Sequence, residues 1–223
     1  MFDISRFCDT DYTMAKNYIR SFKYPWQVLR GLKEYIRFLG ESLSESDYYS
    51  PTVGVWIHKS AVINESAQIC PPCIIGEDSE IRHCAFIRGS VLIGKCCLIG
   101  NSTEIKNSIL FDKVQVPHYN YIGDSILGYK AHLGAGAIIS NLKSDKSEVS
   151  IRFGDESIPT GMRKLGAIIG DQAEIGCNCV LCPGSIVGRN TIVYPLTTLR
   201  GVIKDNCIIK NEHLCIEKEL RNN

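Results

Sequence analysis

Large apolar residues recur at every sixth position along the first half of the chain: Ile57, Ile63, Ile69, Ile75, Ile81, Ile87, Ile93, Ile99, Ile105 and Phe111. A period of six fits neither an isolated helix, near 3.6, nor a simple alternating strand, near 2. It predicts a parallel β-helix with one short strand per hexapeptide and three strands per coil. Two residues before each anchor stands something small, as at Ala61, Ala67, Cys73, Ser79, Ala85, Cys97 and Thr103. Glycine often follows the anchor, at Gly76, Gly94 and Gly100, where the chain must turn a tight corner. The phase slips once, between Phe111 and Leu127, and resumes at Leu127, Leu133 and Ile139. A third run follows at Ile169, Ile175, Leu181, Val187, Val193 and Leu199. Together the runs predict an all-β hexapeptide-repeat solenoid over residues 52–203.

The flanks have other patterns. Pro25 to Gly40 predicts a helix, with Trp26, Leu29, Leu32, Ile36 and Leu39 on one face. Residues 1–51 are therefore expected to form a helical cap over the edge of the first coil, ending in a polar linker from Glu41 to Ser50. Residues 204–223 are expected to cap the other end. The insertion 142–164 breaks the hexads with two extended runs around Gly154-Asp155, which predicts a β-hairpin. Long insertions between solenoid coils gather on one face, often the binding face.

Composition narrows the functional classes. A net charge of +1 gives no general attraction to nucleic acid or anionic membrane. The chain has no run of 18 apolar residues, and its first residues lack a basic stretch followed by an apolar one. We therefore expect a cytoplasmic protein without a nucleic-acid or membrane partner. Eleven cysteines include the pairs Cys70–Cys73 and Cys179–Cys182. In the hexad register Cys73, Cys97 and Cys179 take the small inward position, and each CxxC partner falls at a corner. The expectation is buried thiols acting as small hydrophobes, with no metal site.

Charge at the corners is the first functional signal. Residues 18 apart stack on adjacent coils, about 4.8 Å from one another. Arg88 follows the anchor Ile87 and Lys106 follows Ile105, so the two cations should stack and repel unless they share an anion. A phosphate suits the Arg fork and the Lys point charge. His118 lies twelve residues beyond Lys106, within the phase slip, and is a candidate general base beside such a site.

These residues carry a resemblance. Arg88-Gly-Ser, Asn101-Ser-Thr-Glu-Ile-Lys106, His118-Tyr-Asn-Tyr-Ile-Gly-Asp124 and Leu133-Gly-Ala-Gly-Ala-Ile-Ile-Ser-Asn141 resemble the acetyltransferase half of the bifunctional N-acetylglucosamine-1-phosphate uridyltransferases. The hairpin after Asn141 is similar to that of the related archaeal sugar-1-phosphate nucleotidylyltransferases. The resemblance implies a left-handed β-helix, a homotrimer, and N-acetylation of an amino-sugar phosphate such as glucosamine-1-phosphate by acetyl-CoA. It implies His118 as the base, with Asn141 and Glu104 in catalytic roles, Glu104 orienting the histidine. Arg88, Lys106, Tyr121 and His132 would bind the sugar phosphate, and Ala135, Cys177 and Pro195 the acetyl-CoA. His132 stands where the family has Asn, and Cys177 and Pro195 where the uridyltransferases have Ser and Ala. No Gly-rich nucleotide loop follows a strand, so uridylyl transfer is not expected.

Two other functions fit the coil. A non-catalytic trimeric module could bind a sugar nucleotide or partner a separate nucleotidyltransferase; it would keep Arg88 and Lys106 but need neither His118 nor acetyl-CoA. A γ-class carbonic anhydrase requires zinc histidines five apart, and His58, His83, His118, His132 and His213 contain no such pair.

Overall fold

The computed structural model describes residues 2–211 and 214–218 and is a parallel β-solenoid with three sheets. Sheet A starts its parallel order with Val55–His58, sheet B with Val62–Ile63 and sheet C with Gln68–Ile69. Each coil visits A, B and C in turn, and backbone hydrogen bonds tie each strand to its counterpart one coil away. The anchors fill the solenoid interior, where Ile75, Ile87, Ile93, Ile99 and Ile105 are wholly buried. The small inward positions are as expected, with Cys73, Ser79, Ala85 and Thr103 at 1% exposure or less. Burial pushes the Cys73 thiol well above its ordinary range and that of Cys97 up to about 12, so both are inert.

The register differs from the reading in one respect. The repeat shortens by one residue twice, first before Phe111, and by two residues once more after Leu199, where Ile186 pairs with Val202. Ile109 pairs with Leu92 and with Ile126, each seventeen residues away, whereas Ile87 pairs with Ile105 at eighteen. The interior residue after Ile105 is therefore Leu110, and the one after Ile122 is Leu127. Phe111 turns outward and is buried in a second core instead. All three shortened turns lie at the corner between sheets C and A. Close packing at the corners explains some of the glycines: a Cβ on Gly100 would lie 1.5 Å from the Pro117 carbonyl oxygen.

That second core corrects the role given to the N-terminal segment. The central residues of successive sheet A strands, Ile74, Leu92, Ile109, Ile126, Ile168 and Ile186, face outward yet are at most 1% exposed. They are covered by Phe2, Phe7, Ile19, Trp26, Leu32 and Ile36 from the N-terminal segment, and by Val149 and Ile151 from the insertion. The segment thus lies along the flank of the solenoid instead of capping its first coil. The reason is legible in sheet A itself: its strands are apolar on both faces, so one face needs a cover. Polar ties hold the segment down. Asp9 N–H donates to Asp171 Oδ2 at 2.7 Å, and Arg189 Nη2 donates to the Ser5 carbonyl at 2.8 Å. The predicted single helix is two pieces, a 3₁₀ helix Pro25–Arg30 and an α-helix Leu32–Glu41, broken at Gly31. The expected linker is in part a strand, Tyr48–Thr52, antiparallel to Val55–His58.

The insertion forms the predicted hairpin, Val149–Phe153 against Glu156–Met162. At the C-terminal end Cys207–Asn211 pairs antiparallel with Leu214–Glu217; the remainder of the expected cap, residues 212–213 and 219–223, lies outside the described residues. Among the described residues no helix is long and apolar enough to cross a membrane.

Removing the largest fully buried side chain of the second core tests the covering role. Trp26→Ala is expected to destabilise the protein by about 3–5 kcal/mol, measured as the shift in urea unfolding with the m-value unchanged.

Candidate functional site

The three sheets distribute the predicted site residues over two neighbouring surfaces and two corners. Arg88 and Lys106 stack at the corner between sheets C and A, following the paired Ile87 and Ile105. They do not, however, share an anion. Arg88 Nη1 donates to Glu104 Oε1 at 2.7 Å, and Lys106 Nζ lies 3.4 Å from Asp124 Oδ2. Each cation therefore has its own carboxylate, and the cluster is balanced in formal charge. The Arg88–Glu104 pair is partly exposed, at 42% and 34%, so it contributes little and can be exchanged for another anion.

Glu104 accordingly sits with Arg88 and not with the histidine it was expected to orient. Register is the cause: Glu104 pairs with Tyr121 on the outer face of sheet C, two residues before Lys106. His118 precedes that strand, at the corner between sheets B and C. Tyr121 is half-buried, and its phenol is raised above the ordinary value by burial, by Glu104 and by Asp124. Asn141 Nδ2 donates to the Tyr121 hydroxyl at 3.3 Å and to Asp124 Oδ2 at 2.5 Å.

Asp124 was not singled out in the sequence, yet it joins this cluster. Its side chain is 6% exposed and takes the Asn107 amide on Oδ1 at 2.7 Å, with Lys106 and Asn141 on Oδ2. Asn107 and Asp124 themselves adopt positive φ, 46° and 50°, at the first two shortened corners. Asn and Asp tolerate that backbone better than most residues. An Asn and an Asp seventeen apart at successive slips was the signal available in the sequence.

The second corner aligns the remaining residues. Gly136 N–H donates to the His118 carbonyl, Asn178 N–H to that of Ala135, and Leu196 N–H to that of Cys177. His118, Ala135, Cys177 and Pro195 thus stand in one column along the solenoid axis. The His118 ring is exposed and has no hydrogen-bond partner among the described residues, and neither has the Ala135 N–H. Buried Asn120 locks the top of the column. It accepts from His118 N–H at 3.2 Å and donates to the carbonyls of Gly134 at 2.8 Å and Ala137 at 3.3 Å, on either side of Ala135. Asn120 was likewise missed; it occupies the small inward position of its hexad, where an amide needs partners.

His132 is separated from this group. It lies on the outer face of sheet B, paired with Gln115 and Glu174, and its Nδ1 is 2.7 Å from Glu174 Oε2. Within one chain the corner stands between it and Tyr121. A larger hollow at the C-terminal end, lined by Leu199, Ile203, Cys207 and Leu214, opens the interior of the last coil and contains none of these residues. Among the described residues no cluster of His, Cys, Asp or Glu is arranged to hold a metal ion.

Comparisons with known proteins agree with the coil and its corners. Residues 69–158 match the family described as the GMPPB C-terminal domain, and residues 166–201 match the bacterial transferase hexapeptide family of six repeats. A bifunctional GlmU protein of Methanococcus maripaludis is 31% identical over 207 residues, covering 92% of this chain and 50% of its own length. A bifunctional sugar-1-phosphate nucleotidylyltransferase/acetyltransferase of Sulfurisphaera tokodaii is 35% identical over 151 residues, 60% of this chain and 38% of that one. The chain spans about half the length of the curated GlmU proteins of Methanococcus maripaludis that it matches. Among solved structures, AntD, an N-acyltransferase from Bacillus cereus in complex with dTDP and coenzyme A, aligns at a TM-score of 0.35 and 16% identity, over 78% of this chain and 92% of that one.

The Asp124 node can be tested without a substrate. Asp124→Ala strips the acceptor from two amides and a lysine, and is expected to cost about 1–3 kcal/mol, read as a lower Tm.

Proposed function

We propose, from the premise that this chain is a hexapeptide-repeat transferase related to the acetyltransferase half of the GlmU proteins, that it N-acetylates an amino sugar with acetyl-CoA. The substrate in this reading is an amino-sugar-1-phosphate such as glucosamine-1-phosphate, and the reaction belongs to nucleotide-sugar biosynthesis in the cytoplasm. The observation that carries it is the column at the corner between sheets B and C. An exposed histidine without internal partners stands one coil from a backbone N–H that is also without one, beside the polar face of sheet C.

The chemistry follows from those groups. An amino group attacks a thioester only as the free amine, so it must first lose its ammonium proton. His118 Nε2 or Nδ1 takes the proton released as the amine adds to the carbonyl carbon. Negative charge then develops on the former carbonyl oxygen, and the Ala135 N–H is a fixed donor for it. Collapse of the tetrahedral adduct breaks the carbon–sulfur bond, and the thiolate of coenzyme A leaves with a proton. Tyr121 and Asn141 offer hydroxyl and amide contacts to the sugar. Its phosphate takes the place of Glu104 on Arg88. Cys177 and Pro195, further down the column, line the path of the pantetheine arm.

A homotrimer belongs to this proposal. Sheet A has no free outer face, because the N-terminal segment and the hairpin cover it. Sheets B and C remain open, so a threefold arrangement can oppose sheet B of one subunit to sheet C of the next. His132 would then reach the Tyr121 face of a neighbour, which explains why a single chain leaves it apart.

Release of thiol from acetyl-CoA, measured against a panel of amino sugars and their 1-phosphates, tests the reading. His118→Ala is expected to lower kcat by about 10²–10⁴ with sugar binding retained. Loss of binding in step with rate, or an unchanged rate, would remove the base assignment. Arg88→Ala is expected to raise KM for the phosphorylated sugar more than KM for acetyl-CoA.

A further inference from the structure

The hairpin creates a second polar surface that the reaction above does not use. Val149–Phe153 lies against the corner between sheets C and A, one and two coils beyond Asn141. Two glycines permit this close approach. A Cβ on Gly184, at φ 79°, would lie 2.7 Å from Val149 Cγ1, and one on Gly201, at φ 78°, would lie 3.1 Å from the Arg152 carbonyl oxygen. The contact leaves a narrow cleft of about 90 Å³ between hairpin and corner. Lys143, Arg152 and Arg200 line it, together with the hydroxyls of Ser150 and Ser157, and no acidic residue does.

The charge in this cleft is unbalanced, unlike that around Arg88 and Lys106. Among the described residues neither the Arg152 nor the Arg200 side chain forms an ion pair or a side-chain hydrogen bond. Lys143 donates to the Ser147 hydroxyl and the Glu148 carbonyl, and its charge is felt by Asp145 outside the cleft. Three cations converging on a small space, with hydroxyl donors and no acid, repel one another until an anion enters. Two planar guanidinium forks suit phosphate oxygens in particular.

We propose that this cleft is an anion subsite for a phosphate or diphosphate group on a small ligand, distinct from the Arg88–Lys106 cluster. By strand register Pro183 and Gly201 lie one and two coils beyond Asn141, which is roughly 5 and 10 Å along the axis. A nucleoside-diphosphate sugar fits the spacing when its anomeric carbon faces the hairpin, an orientation opposite to that of a sugar-1-phosphate on Arg88, so the two sites are alternatives for one sugar. Phosphates of coenzyme A carry the same chemistry and are the other source. The subsite itself stands on the cleft; only the position of the sugar rests on the function proposed above.

Calorimetric titration with inorganic pyrophosphate tests it without any acyl transfer. The wild-type chain is expected to bind, with affinity falling as salt rises. Arg152→Ala and Arg200→Ala are each expected to weaken binding by about tenfold or more, with Tm unchanged because both side chains are exposed. Arg152→Lys with Arg200→Lys should recover part of the affinity. Absence of pyrophosphate binding, or equal binding by the alanine variants, would overturn the subsite. Titrations with UDP-N-acetylglucosamine and with coenzyme A then assign the source: the ligand whose affinity the alanine variants lower is the one whose phosphates occupy the cleft. A chain that binds pyrophosphate in this way but never releases thiol would refute the acetyltransferase reading alone.

Discussion

Hydrogen bonding between successive coils is the constraint on which the rest depends. Once Ile87 is paired with Ile105, and Ile105 with Ile122, each neighbour in sequence is placed above a defined residue of the next coil. The interior then needs only an aliphatic residue and a small one per strand, and the corners need backbone that can turn. Side chains at the corners are thereby sorted into columns, and a column is the nearest thing this fold has to a groove. His118, Ala135, Cys177 and Pro195 form one such column, and Arg88 and Lys106 begin another.

Deleting one residue from a coil disturbs this ladder only locally. Asn107 and Asp124 are the left-handed residues at the two seventeen-residue steps, as Ser90, Ser102 and Lys113 are at other corners, and their side chains bond to each other. Lys106 and Asn141 then converge on the same carboxylate. The shortened corner is thus the physical origin of the buried polar node, which a strict hexad repeat would have no place for.

Much of this could be read in the amino-acid sequence because period six has so few structural solutions. The coil, its core anchors, the inward cysteines and the hairpin all follow from spacing. The position of the first shortened turn did not, because Leu110 and Phe111 are both large and apolar, and periodicity alone cannot say which one points inward. Only the existence of a second core, which Phe111 joins, decides it. The same blind spot hid the covering of sheet A: an amphipathic helix reads alike whether it closes the end of a solenoid or lies along its flank. At the site, coil stacking located Arg88 beside Lys106, and the family resemblance alone supplied Tyr121 and Asn141. Partners were not legible, since the choice of Glu104 between Arg88 and His118 depends on side-chain reach across adjacent strands.

The ties between the N-terminal segment and the later coils carry a consequence for synthesis. Asp9 is bonded to Asp171, 162 residues further along the chain, and Cys8 to Ile169, 161 residues along. At about 5–20 residues per second, a ribosome completes that interval in roughly 8 to 30 seconds. Through that time the first residues of the segment have been made but the coils they are tied to have not, whereas helix Leu32–Glu41 packs on Cys73–Ile75 and Val91–Ile93 and can cover Ile74 and Leu92 as they emerge. The solenoid can grow coil by coil as it emerges, yet its covering can close fully only once Ile186 has been made. The covering segment of a nascent chain is therefore docked in two stages, its helix early and its first ten residues late.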